Sequence, residues 1–163
     1  MKVFVTVGAQ MPFDRLIDAM DKWAAGHPQH TVVAQIGAKS ELQPAHMEWS
    51  ALTPPTTFEA HCEDSDIIVG HAGIGTLFAA LERGRPIVVL PRLATKRETR
   101  NEHQSATARR FAQYTNVRVA WHEDEIAARI EELPAMLEAA GERVIDGAAQ
   151  GPLIRALADF IDR

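Results

Sequence analysis

A strand–turn–helix–strand pattern over residues 66–92 constrains the fold of this chain more than any other feature. The apolar residues 67–69 form a short strand that stops at a glycine-bearing turn, residues 70–75. A helical stretch runs from this turn to Arg83, and residues 86–90 follow as a second apolar strand. Two strands joined through a helix are typical of a parallel sheet, because parallel strands need a long crossover connection.

The same alternation of strands and helices continues along the chain. It predicts a single Rossmann-like α/β domain over residues 1–163, with a parallel sheet that helices cover on both faces. Pro12 is expected at the first position of a helix, and Thr56 or Thr57 is expected to cap another. Strands are predicted at residues 3–7, 31–36, 47–52, 67–69, 86–90 and 117–121, and helices at 12–26, 56–63, 76–83, 101–114, 123–140 with an interruption at Pro134, and in a terminal segment, 149–163.

Composition limits the classes of protein to which the chain can belong. A net charge of -5 argues against nucleic-acid binding, whose usual signature is a basic patch. The single cysteine, Cys62, excludes an intrachain disulfide and fits a reducing compartment. No apolar run approaches the ~20 residues of a membrane helix, and the N-terminus lacks a signal-peptide pattern. We therefore expect a cytoplasmic protein, which leaves room for peripheral docking on a membrane partner.

Three polar loops fall where Rossmann-like domains bind their ligands, beyond the carboxyl ends of the strands. We name them the first loop (residues 8–11), the second loop (residues 70–75) and the third loop (residues 92–102). The chain has no GxGxxG dinucleotide pattern and no GxxxxGK[ST] phosphate loop. Its histidines and cysteine also lack the spacing of a zinc site, so no metal is expected.

The second loop carries the strongest signal for a bound anion. His71 stands at the end of a predicted strand, and Gly73, Gly75 and Thr76 follow at the start of a helix. The histidine can hydrogen-bond a phosphate, and a helix N-terminus offers unpaired N–H groups and a partial positive charge. The alternative is a tight turn with a solvent-exposed or capping histidine.

The other two loops are less specific. The first loop reads as an ordinary turn in which Thr6 and Gln10 satisfy backbone groups, unless it faces the same ligand. The third loop is basic, and its end carries the cluster Asn101-Glu102-His103-Gln104. Such side chains can bind sugar hydroxyls, which both donate and accept hydrogen bonds. A helix cap with surface residues explains the same cluster equally well.

The three loops together resemble a known family. MKVFVTVGAQMPFDRLI, DIIVGHAGIGTLFAALERGRPIVVLPR and NEHQ are similar, in this order over residues 1–121, to the C-terminal domain of family 28 glycosyltransferases. The chain looks most like small stand-alone versions of that domain. These are the PssE/EpsF-type subunits of bacterial exopolysaccharide glycosyltransferases and the catalytic subunit of the eukaryotic two-subunit UDP-GlcNAc transferase of dolichol-linked oligosaccharide synthesis.

The resemblance implies one half of a GT-B fold, the Rossmann domain that binds a nucleotide-sugar donor. The second loop would contact the diphosphate, the first loop would face the cleft between domains, and the Asn-x-His-Gln segment would lie by the donor sugar. A UDP-sugar is the implied donor, with no metal or other cofactor. The candidate catalytic residues are His71 and His103, and the candidate ligand-binding residues are Gly8, Ala9, Gln10, Ala72, Gly73, Gly75, Thr76, Arg92, Asn101 and Gln104.

One position departs from the family pattern. Many relatives carry a glutamate that holds the ribose hydroxyls five residues before the glycine that ends this helix, and here that position is Ala79. Glu82 is the nearest acid, three residues further along the chain. The alternatives for Glu82 are ribose recognition, a surface position, or an ion pair with Arg83 or Arg85.

The resemblance leads to a functional hypothesis. The chain would be the donor-binding subunit of an inverting hexosyltransferase, and a membrane-anchored partner subunit would supply the half that binds a lipid-linked acceptor. The terminal segment can dock such a partner or pack on its own sheet. Two alternatives stay open, a non-catalytic or regulatory nucleotide-sugar-binding subunit and a free-standing hydrolase or epimerase of sugar nucleotides. The sequence also leaves open whether the chain forms a homo-oligomer.

Overall fold

The computed structural model describes residues 1–140, which form a six-stranded, all-parallel sheet with helices on both faces. The parallel sheet that the sequence predicts is therefore confirmed. The strands are β1 (Lys2–Thr6), β2 (Thr31–Gln35), β3 (Glu48–Ser50), β4 (Ile67–His71), β5 (Ile87–Leu90) and β6 (Val117–Val119), and the helices are α1 (Asp14–Gly26), α2 (Pro55–Asp64), α3 (Ile74–Glu82), α4 (His103–Phe111) and α5 (Ile126–Ala140).

The order of the strands indicates which edge of the sheet is expected to bind a ligand. Across the sheet the strands run β3-β2-β1-β4-β5-β6, so the chain reverses its direction of travel between β1 and β4. Val5 of β1 pairs with Ala34 of β2 on one side and with Val69 of β4 on the other. Parallel sheets of this order bind ligands at the crevice where the order reverses, beyond the carboxyl ends of the strands. The first and second loops lie on either side of this crevice.

Two apolar cores hold the helices against the sheet. Because successive strand residues point to opposite faces, Val3 and Val5 belong to one core and Phe4 belongs to the other. The core around Val3 and Val5 is covered by α1 and α5, and the core around Phe4 by α2, α3 and α4. Burial on both faces explains why β1, β4 and β5 read as continuous apolar runs.

Proline does not act at the positions that the sequence suggests. Pro12 precedes Phe13, the N-cap residue of α1, so its predicted place as the first helical residue is wrong. Pro55 occupies a first-turn position of α2, where its fixed φ and missing N–H fit, and neither Thr56 nor Thr57 caps the helix. Pro134 lies inside α5 without ending it, so the predicted interruption is wrong.

Two further predictions concern element ends. Helix α4 begins at His103 rather than at residue 101, because the Asn101 side chain accepts a hydrogen bond from the His103 N–H before the helix starts. The predicted terminal helix lies outside the described residues. No helix within residues 1–140 is long and apolar enough to cross a membrane.

Candidate functional site

An open cleft of about 690 Å³ lies at the carboxyl ends of β1, β2, β4 and β5. All three loops contribute to it, as the sequence predicts. Ala72 is buried and does not line the cleft, while Asn101 and His103 are exposed to solvent outside it. The predicted site residues that the cleft brings together are Gly8, Ala9, Gln10, His71, Gly73, Gly75, Thr76, Arg92 and Gln104.

The imidazole of His71 is held between two glycines. A Cβ atom on Gly8 would lie 2.8 Å from Cε1 of the ring, and Gly8 also has a φ of +74°, which favours glycine. A Cβ atom on Gly73 would overlap Nε2 and would lie 2.7 Å from Cδ2. The histidine ring thus fills the space that a side chain at either position would need. Glycine is required at both positions because of His71.

The surroundings of His71 keep its ring neutral. The pKa of His71 is lowered from 6.5 to about 4, mainly by burial and secondly by the nearby positive charge of Arg92, while a hydrogen bond with the Thr6 backbone opposes both. The ring Nδ1 lies 3.4 Å from the Thr76 hydroxyl oxygen. A neutral imidazole has one N–H to donate. An anion bound beside the ring would raise this pKa, because it favours the protonated form.

Helix α3 presents an uncapped N-terminus to the same cleft. Gly73 is its N-cap residue and makes no side-chain hydrogen bond to the helix. The first N–H groups of a helix have no partner within the helix and carry a partial positive charge. At Gly75 an added Cβ would meet no atom within 4 Å, so the backbone here borders open space. An anion can approach this N-terminus closely.

Arg92 braces the first loop from inside the protein. The residue is only 3% exposed, and its Nη2 donates to the carbonyls of Val7 at 2.7 Å and Met11 at 2.6 Å. The guanidinium carbon lies 5.1 Å from the centre of the Phe13 ring. Arg92 therefore brings a positive charge to the cleft while Nη2 is engaged with the loop. Its predicted contact with a ligand stays a prediction.

A hydrogen bond and an ion pair hold the third loop in place. Gln104 accepts a hydrogen bond from the Arg92 backbone N–H at 3.0 Å, and Glu98 pairs with Arg15 of α1. Lys96 lies 3.3 Å from Glu123 rather than in the cleft. The basic charge of this loop is therefore partly balanced within the protein.

Several cleft residues were not predicted from the sequence. Gln35 ends β2 at the ligand edge, is 4% exposed, and donates through Nε2 to the Gly8 carbonyl at 3.2 Å. A polar residue that closes an apolar strand at this edge is the signal that could have identified it. Pro55, Phe58 and Ile74 form an apolar rim on the same cleft. These three residues carry no pattern that separates them from ordinary packing residues.

No carboxylate is among the residues that line the cleft within the described part of the chain. Ala79 is partly buried and packs against the core on its side of the sheet. Glu82 is exposed, and its Oε2 lies 3.4 Å from Nη1 of Arg83. Of the alternatives for Glu82, the structure shows a surface position with an ion pair to Arg83.

Solved structures share this fold. The calicheamicin glycosyltransferase CalG4 is similar with 18% identity and a TM-score of 0.66, over 99% of this chain and 42% of CalG4. ALG13 is similar with 17% identity and a TM-score of 0.57, over 80% of this chain and 83% of ALG13. UDP-GlcNAc 2-epimerase from Neisseria meningitidis bound to UDP-GlcNAc is similar with 15% identity and a TM-score of 0.57, over 97% of this chain and 44% of the epimerase. Identities this low show the fold alone.

The chain spans less than half of CalG4 and of the epimerase, so it corresponds to one half of a GT-B-type fold. Comparison with curated proteins gives no match. The family model of the glycosyltransferase family 28 C-terminal domain matches residues 2–145. Because this match covers most of the sequence, the chain belongs to the family of glycosyltransferase family 28 C-terminal domains.

Proposed function

We propose that the chain is the donor-binding subunit of a two-component inverting glycosyltransferase that uses a UDP-sugar. The observation that carries this proposal is the position of His71. Its ring is held between Gly8 and Gly73, next to the uncapped N-terminus of α3, at the crevice where the strand order reverses. Hydrogen-bond donors that converge there suit a diphosphate.

The same donors suit the chemistry of sugar transfer. When the bond between the sugar and UDP breaks, negative charge develops on the departing phosphate oxygen. Fixed N–H groups at the start of α3 would stabilise this charge without having to reorganise, and His71 would add a donor once the bound anion favours its protonated ring. The buried charge of Arg92 adds a favourable field. Loss of one such donor in other enzymes costs about 2.7–4 kcal/mol of transition-state stabilisation.

The rest of the cleft can orient the nucleoside. The apolar rim of Pro55, Phe58 and Ile74 offers a surface on which a flat base can pack, close to the proposed phosphate position. Because no described cleft residue is a carboxylate, neutral side chains would bind the ribose hydroxyls. Thr99 on the third loop and Gln104 on α4 are available for this.

A second subunit would complete the enzyme. The family match and the fold cover one domain, which in this proposal is the donor-binding half, and two of the similar structures are more than twice as long as this chain. We propose that a membrane-anchored partner supplies the acceptor-binding half on the cytoplasmic face of the membrane. The acceptor in this proposal is a lipid-linked sugar of a polysaccharide pathway.

A reconstituted transfer assay tests the proposal. The chain, its candidate partner, an α-linked UDP-sugar and a lipid-linked acceptor should together give a product with inverted anomeric configuration, identified by NMR. The chain alone should give no turnover. Turnover of UDP-GlcNAc by the chain alone would favour a hydrolase or epimerase. A complex of full activity with His71→Ala would favour a non-catalytic subunit.

A further inference from the structure

Gln35 is a buried amide of which only the donor end makes a hydrogen bond. Its Nε2 donates to the carbonyl oxygen of Gly8 at 3.2 Å, and its Oε1 is buried without a partner within the described residues. A buried amide oxygen without a partner costs stability, so packing alone gives no reason for glutamine here. The donor end, which holds the first loop, is the part of this side chain that the structure uses.

The hydrogen bond to Gly8 fixes the direction of the next N–H group. No peptide bond in residues 1–140 is cis, and in a planar trans peptide the C=O and the following N–H point in opposite directions. Gln35 holds the Gly8 oxygen on the β2 side of the loop. The N–H of Ala9 is therefore directed away from β2, which is the side of β4 and His71. Within the described residues this N–H has no hydrogen-bond acceptor.

Because residue 8 is a glycine, the orientation of the Gly8–Ala9 peptide depends on a hydrogen bond from outside the first loop. Gly8 has a φ of +74° and lacks the side chain that limits rotation in other residues. Its own N–H is held by the Thr6 hydroxyl at 3.2 Å, but its C=O is held from outside the loop by Gln35. Without that donor the peptide between Gly8 and Ala9 can rotate.

We propose that Gln35 is a positioning residue, which holds the Gly8–Ala9 peptide so that the Ala9 N–H donates to the anionic group bound beside His71. The inference rests on the proposed function, because it takes the diphosphate of the donor as that anion. It gives the first loop a defined role, a backbone donor that faces the N-terminus of α3 across the crevice. Gln35 itself does not touch the ligand.

Two substitutions separate this role from simple packing. In Gln35→Glu the ionised side chain cannot donate to the Gly8 oxygen and instead attracts the Ala9 N–H. Once protonated, the carboxyl can donate again, which restores the orientation. Gln35→Met keeps the size of the side chain but cannot donate at any pH. The titratable or charged side chains that line the cleft with Gln35 are His71 and Arg92, and the wild type measured at each pH accounts for their effect.

Calorimetric titration with UDP from pH 5.5 to 8.5 tests the proposal. At pH 8.5 both variants should bind UDP at least about tenfold more weakly than the wild type, the scale of one lost hydrogen bond. The deficit of Gln35→Glu should shrink towards pH 5.5, whereas that of Gln35→Met should stay constant. Equal affinities of wild type and Gln35→Glu at every pH, or the same constant deficit in both variants, would overturn it.

A measurement on the wild type keeps the proposal testable if a variant fails to fold. In a ¹⁵N-labelled sample, saturating UDP should shift the Ala9 amide proton downfield, as expected when this N–H gains an anionic acceptor. An unchanged Ala9 resonance in a UDP-saturated protein would overturn the role of Gln35 alone. Failure of the wild type to bind UDP would instead overturn the proposed function, and the inference would fall with it.

Discussion

Arg15 of α1 and Glu98 of the third loop form a bidentate ion pair, with Arg15 Nε 2.7 Å from Glu98 Oε1 and Nη2 2.8 Å from Oε2. The side chains are 10% and 13% exposed. Glu98 Oε2 also accepts from the Leu93 N–H at 3.0 Å, and Arg15 Nη2 donates to the Pro91 carbonyl at 2.9 Å. This pair joins residues 83 positions apart and fixes the third loop beside the cleft.

Substitution of Glu98 tests the contribution of this pair. Glu98→Gln keeps the shape of the side chain but removes its charge and one acceptor oxygen. We expect the free energy of unfolding to fall by about 2 kcal/mol, the scale of a hydrogen bond to a charged group, measured by urea denaturation. The exposed Lys22–Asp18 pair is the matched control, and Asp18→Asn should leave stability unchanged within error. Equal losses in the two variants would contradict this account.

Substitution of Gly75 should affect UDP binding and protein stability in opposite directions. An added Cβ meets no protein atom within 4 Å, and alanine favours a helix over glycine by up to about 1 kcal/mol. Gly75→Ala should therefore raise or maintain the melting temperature. It should also weaken UDP binding, because the methyl group projects into the space where the anion is proposed to lie. If UDP affinity were unchanged in a folded Gly75→Ala variant, the anion would not lie at the N-terminus of α3.

Because of His71, the free energy of unfolding should fall on mild acidification. Its pKa is about 4 in the folded protein against an ordinary value of 6.5, so the unfolded chain takes up the proton first. The contribution of the neutral His71 to the free energy of unfolding is complete above pH 6.5. It is lost as the pH falls towards 4, by up to about 3 kcal/mol. Urea denaturation at pH 7 and pH 4.5 should show a larger loss for the wild type than for His71→Asn.

The exposed His103 supplies the control for this experiment. His103→Asn removes a histidine outside the cleft, and its stability should follow the pH dependence of the wild type. Parallel pH profiles for the wild type and His71→Asn would contradict the burial of a neutral ring at His71.

Arg97 occupies a backbone conformation that suits glycine. Its φ is 58°, directly after the 3₁₀ turn Ala94–Lys96, and left-handed backbone costs a non-glycine residue about 1 kcal/mol. Arg97→Gly should therefore raise the stability of the protein, by up to about 1 kcal/mol. Arg97→Val should lower it, because a β-branched side chain tolerates this conformation poorly. Thermal unfolding of both variants checks the order, and a less stable Arg97→Gly would contradict it.

The sequence predicts the sheet and the ligand edge because apolar periodicity reports burial directly. The runs at β1, β4 and β5 are buried on both faces, and their carboxyl ends bring the three loops together. The contacts within the loops depend on distant partners. Arg92 turns inward to the carbonyls of Val7 and Met11, which no local pattern indicates.

The same limit applies to the residues at the rim of the site. Asn101 and His103 are predicted as site residues because they belong to the polar cluster at residues 101–104. Of that cluster, only Gln104 lines the cleft. The direction of each side chain is set where α4 begins, and that boundary depends on a local hydrogen bond between Asn101 and His103. The left-handed backbone of Arg97 is likewise invisible in a sequence that shows no glycine there.

Calorimetric titration with UDP tests the central claim most directly, namely that the crevice around His71 binds the diphosphate of a nucleotide. The wild type should bind UDP, and Gly26→Ala should bind equally well, since an added Cβ at Gly26 meets no atom within 4 Å. Gly73→Ala should lose binding, because its Cβ displaces the His71 ring. Absence of binding heat in the wild type, or an unchanged affinity in Gly73→Ala, would contradict the claim.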